Sequence, residues 1–325
     1  MEERPRASKK RFSFLLGLFV LFAAFIILIL LITGLTMLRT VLPSLGESVA
    51  ILEVNGPIMN TEPLIKILHQ YRDSRAIKAI VVRIDSPGGV VASVQELYAE
   101  LNKLRQQQTK PLITSLGNVA ASGGYYVACG TDEIFANPGS LTGSIGVIFN
   151  LTNWEELIQK IGLKFEVVKS GPHKDIGSPT RPMTEEERRI MQEMIDDVYS
   201  QFFSAILDAR ADSLREALHK QRQAKGDFSN QEATQEEIEE YLRSLCDGRV
   251  FSGQQAYRFG LVDRLGNLQD AIDRAAKLAG IVGKPRVVTT RRKPSIFDLF
   301  TGSVNKVLQD VRHPEVSLEY RLVAR

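Results

Sequence analysis

The chain of 325 residues predicts an α/β fold, a parallel sheet flanked by helices. Short β-branched apolar runs alternate with segments whose apolar residues recur at helical spacing, which is the pattern of βαβ units. The runs are apolar almost throughout, as strands covered on both faces must be. Glycine pairs at 88–89 and 123–124 directly follow two of the strands, on the edge where such sheets bind ligands.

The elements follow in order. Residues 48–54, SVAILEV, form a strand stopped by Asn55-Gly56-Pro57. EPLIKILHQYRD (62–73) has helical spacing, and KAIVVRI (78–84) is a second strand running into Asp85-Ser86-Pro87-Gly88-Gly89. An amphipathic helix covers 91–106, and a third strand covers 111–116. Strands are expected at 132–137, 145–150 and 164–170, with a helix at 153–162 between the last two. Thr184 and Glu187 make a capping box ahead of a long helix. Further helices are expected at 234–246, at 252–260 stopped by Gly260, and at 267–280 stopped by Gly280. From Lys284 the composition changes to KPRVVTTRRKP, followed by one amphipathic stretch near 296–311.

The N-terminus reads as a membrane anchor. No charged residue occurs from Phe12 to Leu38. About 20 apolar residues span the hydrocarbon core of a bilayer, so this run is long enough. No A-x-A cleavage site follows it, so an uncleaved anchor is expected. Arg4, Arg6, Lys9, Lys10 and Arg11 precede the span and only Arg39 follows it closely, which keeps the tail in the cytoplasm. The expected order is a cytoplasmic tail (1–11), a transmembrane anchor (12–38), a linker (39–47), a catalytic domain (48–283) and a C-terminal extension (284–325).

Composition narrows the function. Apolar content of 44% and charged content of 24% are those of a globular protein. The net charge of +3 is small and its basic residues are scattered, so nucleic acid is not an expected partner. Cys129 and Cys246 are the only cysteines and show no zinc spacing. Cys129, among Val, Ala and Gly, reads as a buried thiol, with a disulfide left open. The histidines at 69, 173, 219 and 313 form no H-E-x-x-H.

The segment NVAASGGYYVACG (118–130) places Ser122 among small residues, with no acid or histidine nearby in sequence. Ser122 is either a helix N-cap or a nucleophile. The glycines at 123 and 124 favour the second reading, because they admit a close-lying substrate backbone. A serine hydroxyl needs a base in the transition state. The loop KSGPHKDIGSPTRP offers His173 and Lys174, and the residues alone leave that choice open. A lysine base needs a depressed pKa, since at a reference of about 10.4 only about one amine in 2,500 is neutral at pH 7. Asp175 opposes that depression if its carboxylate meets the amine.

Five segments lie in one order: DSPGG (85–89), NVAASGGYYVA (118–128), LTGSIGVI (141–148), KSGPHKDIGSPTRPMTEEE (169–187) and DGRVFSGQQAYRFGLVDRLG (247–266). Together they resemble the signal peptide peptidase A family, membrane-anchored Ser/Lys peptidases in the short single-domain form. The resemblance implies a Clp/crotonase-type ββα superhelix with parallel sheets flanked by helices, preceded by one transmembrane helix. It assigns the nucleophile to Ser122, the general base to Lys174, and the oxyanion hole to the backbone N–H groups of Gly89 and Gly123. Ser144 matches a serine that hydrogen-bonds the lysine. TGSIG half-imitates a nucleophile elbow, but Thr142 stands where its first glycine belongs, so Ser144 is not the expected nucleophile.

The implied function is a serine endopeptidase of a bacterial cell membrane, its catalytic domain on the extracytoplasmic side. It would degrade signal-peptide remnants and other short apolar peptides through an acyl-enzyme. The resemblance implies no cofactor and no metal. It also implies a homo-oligomeric ring in which the lysine reaches the serine of a neighbouring subunit. Three other readings stand beside it: a related membrane peptidase with other protein substrates, a crotonase-like acyl-CoA enzyme, and a non-catalytic membrane scaffold.

Overall fold

The computed structural model describes residues 21–33, 46–226, 232–289 and 319–321. The chain divides into two units, Met1–Glu47 and Ser48–Arg325. In the first, residues 21–33 form helix α1, whose leucine, isoleucine and phenylalanine side chains are exposed. Among the described residues no helix is long and apolar enough to cross a membrane. The rest of the anchor expected at 12–38, the whole tail (1–11) and the linker up to residue 45 lie outside the described residues.

The second unit is an α/β domain. Its leading elements are β1 (Ser48–Asn55), α2 (Glu62–Asp73), β2 (Ile77–Ser86), β3 (Gly88–Val90), α3 (Val91–Gln107), β4 (Leu112–Ala121), α4 (Gly123–Ala128), β5 (Glu133–Ala136), β6 (Leu141–Gly143) and α5 (Glu155–Lys160). Then follow α6 (Glu185–Ala224), α7 (Gln235–Leu245), β7 (Val250–Ser252), α8 (Gly253–Arg258), β8 (Arg264–Leu265), α9 (Leu268–Leu278), β9 (Arg286–Thr289) and β10 (Glu319–Arg321).

Among the described residues one eight-stranded sheet runs β7-β6-β4-β2-β1-β9, with β5 and β8 branching from β4. Its ladders are parallel except that between β6 and β7. The period-2 alternation of strands sorts the sheet's side chains onto two faces. Ala50, Leu52, Val54, Ile80, Val82 and Ile84 join the larger core beneath α2, α3, α4, α6 and α7. Val49, Ile51, Ala79, Val81 and Ile113 face the smaller core beneath α9. Both faces are covered, so the strands read as unbroken apolar runs. The sheet continues past residue 283, because β9 pairs parallel with β1. The amphipathic stretch near 296–311 lies outside the described residues.

Two expected strands do not form. Residues 145–150 follow β6 as irregular chain with a single bridge position at Ile148. Residues 164–170 join no ladder, and Phe165, Val167 and Val168 are exposed. An apolar run becomes a strand only where another strand satisfies its N–H and C=O groups, and among the described residues neither segment joins a ladder.

Candidate active site

Three strands end along one edge of the sheet, and the chain after each enters the same region. β2 ends at Ser86, whose register partner on β4 is Ala120, and Ala121 of β4 pairs with Gly143 of β6. The chain that follows carries Gly88 and Gly89 on β3, and Ser122 and Ser144 on turns.

After β2, the Gly88 N–H donates to Ser86 Oγ at 3.1 Å. Asp85 fastens this turn to β4, accepting from Asn118 Nδ2 at 3.1 Å and Val119 N–H at 3.2 Å. Gly88 has φ of 104°, a conformation suited to glycine. Gly89 is required for a different reason. A Cβ there would lie 2.1 Å from the Ile58 carbonyl oxygen, because Ile58 brackets β3 through Ile58 N–H to Gly88 C=O and Val90 N–H to Ile58 C=O, both 2.9 Å.

After β4 the chain turns sharply through Ser122 into α4. Ser122 has φ 53° and ψ −118°, a region in which non-glycine residues are rare. Such strain costs about 1–3 kcal/mol and persists only where the surroundings enforce it. Here the Ser122 N–H donates to the Gly143 carbonyl at 2.7 Å, and α4 is anchored beyond it. Tyr125 is fully buried and donates from its hydroxyl to the Leu261 carbonyl at 2.7 Å. Tyr126 stacks on Phe202 of α6 with ring centroids 4.6 Å apart, worth about 1 kcal/mol beyond the area buried. The Ser122 hydroxyl does not cap α4, which removes the N-cap explanation for this serine. Strand, strained serine and helix reproduce the geometry of a nucleophile elbow without its sequence.

Ser144 follows β6 and also has positive φ, at 50°. Its N–H donates to the Arg249 carbonyl at 2.8 Å. Ser122 and Ser144 line one cavity of about 380 Å³, with Ile145, Val147, Ile195 and Tyr199 among its apolar walls. Cys246 lines it too, but burial pushes that thiol up to about 12, so no thiolate competes with the serine. Cys246 and Cys129 are both free and buried. Asp247 on the wall is held down to about 2, chiefly by its bond to Arg249.

The proposed bases lie elsewhere in the chain. Lys174 is exposed on the loop before α6 and is not among the residues lining the cavity. His173 lies on the same loop, its Nε2 3.8 Å from Glu186 Oε1. The structure therefore brings Ser122 and Ser144 together and leaves both candidate bases outside their cavity. The loop follows a segment, the arm, whose Trp154, Leu157, Ile161, Leu163, Phe165 and Val168 are all exposed. The carboxylate of Asp175 turns to Arg181 and Lys169. Sequence reasoning missed this pairing, and it missed β3 because three residues of Gly-Gly-Val carry no alternation to detect.

The sequence profile of peptidase family S49 matches residues 104–238 and 232–282, a stretch that includes Ser122, Ser144 and Lys174. The chain belongs to this family. A candidate protease of Synechocystis sp., slr0021, is 40% identical over 240 residues, covering 73% of this chain and 76% of its own length. A candidate signal peptide peptidase SppA of Enterococcus faecium is 32% identical over 71% of this chain and 64% of its own. The chloroplastic serine protease SPPA of Arabidopsis thaliana is 30% identical over 85% of this chain but only 38% of its own. The S49 chain thus spans less than two thirds of the last two relatives. The 1510-N membrane-bound stomatin-specific protease aligns with 76% of this chain at a TM-score of 0.42 and 14% identity, too slight a likeness to argue from. As an S49 member this chain is a serine peptidase, and its fold is a mostly parallel sheet flanked by helices.

Proposed function

We propose that the chain is a membrane-anchored endopeptidase that cleaves signal-peptide remnants and other short apolar peptides, with Ser122 as nucleophile and Lys174 as general base. The strained turn at Ser122, opening on a cavity whose walls include Ile145, Val147, Ile195 and Tyr199, carries this reading. Ser122 Oγ attacks the scissile carbonyl while Lys174 Nζ accepts its proton and then delivers it to the leaving amine. Water, deprotonated by the same amine, releases the acyl group as a carboxylate. The N–H groups of Gly89 and Gly123 receive the oxyanion, and one such donor is worth about 3–4 kcal/mol. Ser144, on the cavity wall, orients the lysine.

The exposed position of Lys174 favours a base supplied to a neighbouring copy. The arm that precedes its loop presents an apolar surface of a kind that marks interfaces. A ring in which each arm covers the next subunit's cavity buries that surface and completes the site. The substrate would lie as an extended strand, since β3 already accepts β10 antiparallel, with Tyr320 opposite Gly89. The residues before the domain supply the anchor, which holds the site beside peptides left in a bacterial membrane.

A serine-directed fluorophosphonate is expected to label Ser122 in the full chain. Peptide cleavage is expected to vanish in Lys174→Ala and survive in His173→Ala. Loss in the second variant with retention in the first would reverse the assignment of the base.

A further inference from the structure

A single guanidinium organises the loop that bears Lys174. Arg181 donates from Nε to Asp175 Oδ2 and from Nη2 to Asp175 Oδ1, both at 2.9 Å. It also donates from Nη1 to Glu187 Oε2 at 2.8 Å and from Nη2 to Glu187 Oε1 at 2.5 Å. Lys169 closes the cluster, with Nζ 2.6 Å from Asp175 Oδ1 and 2.9 Å from the Pro172 carbonyl. Glu187 is the third residue of α6 and caps it, accepting from the Thr184 N–H at 3.0 Å. Between these fixed points the loop is a run of tight turns: Lys174 N–H to Gly171 C=O, Ile176 N–H to His173 C=O, and Ser178 N–H to Asp175 C=O.

The chemistry of the base gives the cluster a purpose. A lysine that must lose its proton is hindered by a carboxylate beside it, because an opposite charge within about 4–6 Å favours the charged form. Asp175 is the next residue to Lys174 and the obvious counter-ion. In the structure both of its oxygens are committed to other cations.

We propose that Arg181 is a positioning residue for peptide hydrolysis: it withholds the Asp175 carboxylate from the Lys174 amine and ties the base-bearing loop to the start of α6. This rests on the reading of Lys174 as base. Arg181 holds the Asp175 carboxyl well below its usual range, with Lys169 the second cause, so the group is anionic wherever the enzyme works. The charged and titratable groups around the loop are Lys169, His173, Asp175 and Arg181 on the loop itself, and Glu185, Glu186, Glu187 and Arg188 on the first turns of α6. Only an arginine offers two carboxylates a planar fork of donors; a lysine is a point charge. The cluster is partly buried, with Arg181 28%, Asp175 15% and Glu187 3% exposed, so a change at Arg181 also removes the cation from a buried carboxylate and needs a conservative variant beside it.

The test is the pH dependence of kcat/KM for an apolar fluorogenic peptide, measured on the assembled full chain. In Arg181→Met only Lys169 still holds the carboxylate, through Oδ1; the released Oδ2 pairs with the amine, and the acid limb moves about one unit to higher pH, roughly a tenfold loss on that limb. Adding Asp175→Asn returns the limb to its original position. Should Arg181→Met not fold, Arg181→Lys carries the test: it shifts the limb in the same direction, and Asp175→Asn again reverses it. A limb that stays in place, or that shifts equally with and without Asp175→Asn, overturns the proposal. Lys174→Ala is the separating control. Cleavage that survives it defeats the assignment of the base, whereas its loss beside an unmoved limb defeats only the role of Arg181.

Discussion

Ser122 and Ser144 sit on two strained turns joined by one backbone bond. Ser122 donates its N–H to the carbonyl of Gly143, the residue before Ser144, at 2.7 Å. Both serines have positive φ, 53° and 50°, and both line one cavity. Non-glycine residues in that region are uncommon, and two of them facing one cavity mark a place where the fold accepts strain to aim side chains.

The strain at Ser122 is measurable. Ser122→Gly is expected to abolish cleavage and raise stability by about 1 kcal/mol, read from thermal or denaturant unfolding. Ser122→Ala is expected to be equally inactive without the gain. Equal stability of the two variants would mean that the turn is not strained.

Gly89 has no room for a side chain. A Cβ would press on the Ile58 carbonyl oxygen at 2.1 Å, and that backbone cannot move without breaking its bonds to β3. Gly89→Ala is expected to cut kcat by at least about 100-fold, since a displaced oxyanion donor costs that much. Unchanged steady-state kinetics in a folded variant would remove Gly89 from the reaction.

Arg210, buried, and Asp263, partly buried, form a pair that ties α6 to the turn after α8. Arg210 is 3% exposed, and its Nη1 and Nη2 lie 2.7 and 2.8 Å from the carboxylate of Asp263. Removing one partner of a buried pair costs about 3–5 kcal/mol. Asp263→Ala is therefore expected to lower unfolding stability by about that amount, and Arg210→Met with Asp263→Leu to recover much of it. A loss below about 1 kcal/mol would show the pair to be solvated.

Acid is expected to release the Lys174 loop before it unfolds the domain. Arg181, followed by the Thr184 N–H, holds Glu187 down to about 2, against an ordinary value of 4.5. A carboxylate depressed in the folded state stabilises above its unfolded value and loses that contribution as pH falls through the folded one. Between about 4.5 and 2 the clamp therefore weakens, and Asp175 acts in the same direction. Proteolysis within residues 169–183 should rise over that window, and Glu187→Gln should flatten the rise. A rate independent of pH after correction for the protease would contradict this.

Much of the domain could be read from residue order, for physical reasons that differ by element. α2 spans Glu62–Asp73, the range its apolar spacing predicts, and the Thr184 box starts α6 where expected. Both are local signals. β1, β2 and β4 were legible because burial on two faces leaves unbroken apolar runs. The runs at 145–150 and 164–170 carry the same signal without a pairing strand, and pairing is not local. The glycines at 88–89 and 123–124 follow β2 and β4, on the sheet edge where residue order placed them. The positive φ of Ser122 is written in no residue type, because serine gives no warning of it. The Arg181 clamp was equally hidden: its partners, Asp175 and Glu187, are ordinary loop and helix-start acids until the chain folds back on itself.

Mixing two inactive variants reveals whether Lys174 of one copy serves Ser122 of another. Ser122→Ala and Lys174→Ala are co-assembled in equal amounts after dissociation of each. Random assembly places an intact serine beside an intact lysine from a neighbour at about a quarter of the sites. Cleavage is expected to return to about a quarter of the wild-type rate per site, from two preparations that are each inactive. No recovery in a properly assembled mixture would contradict a base shared between copies.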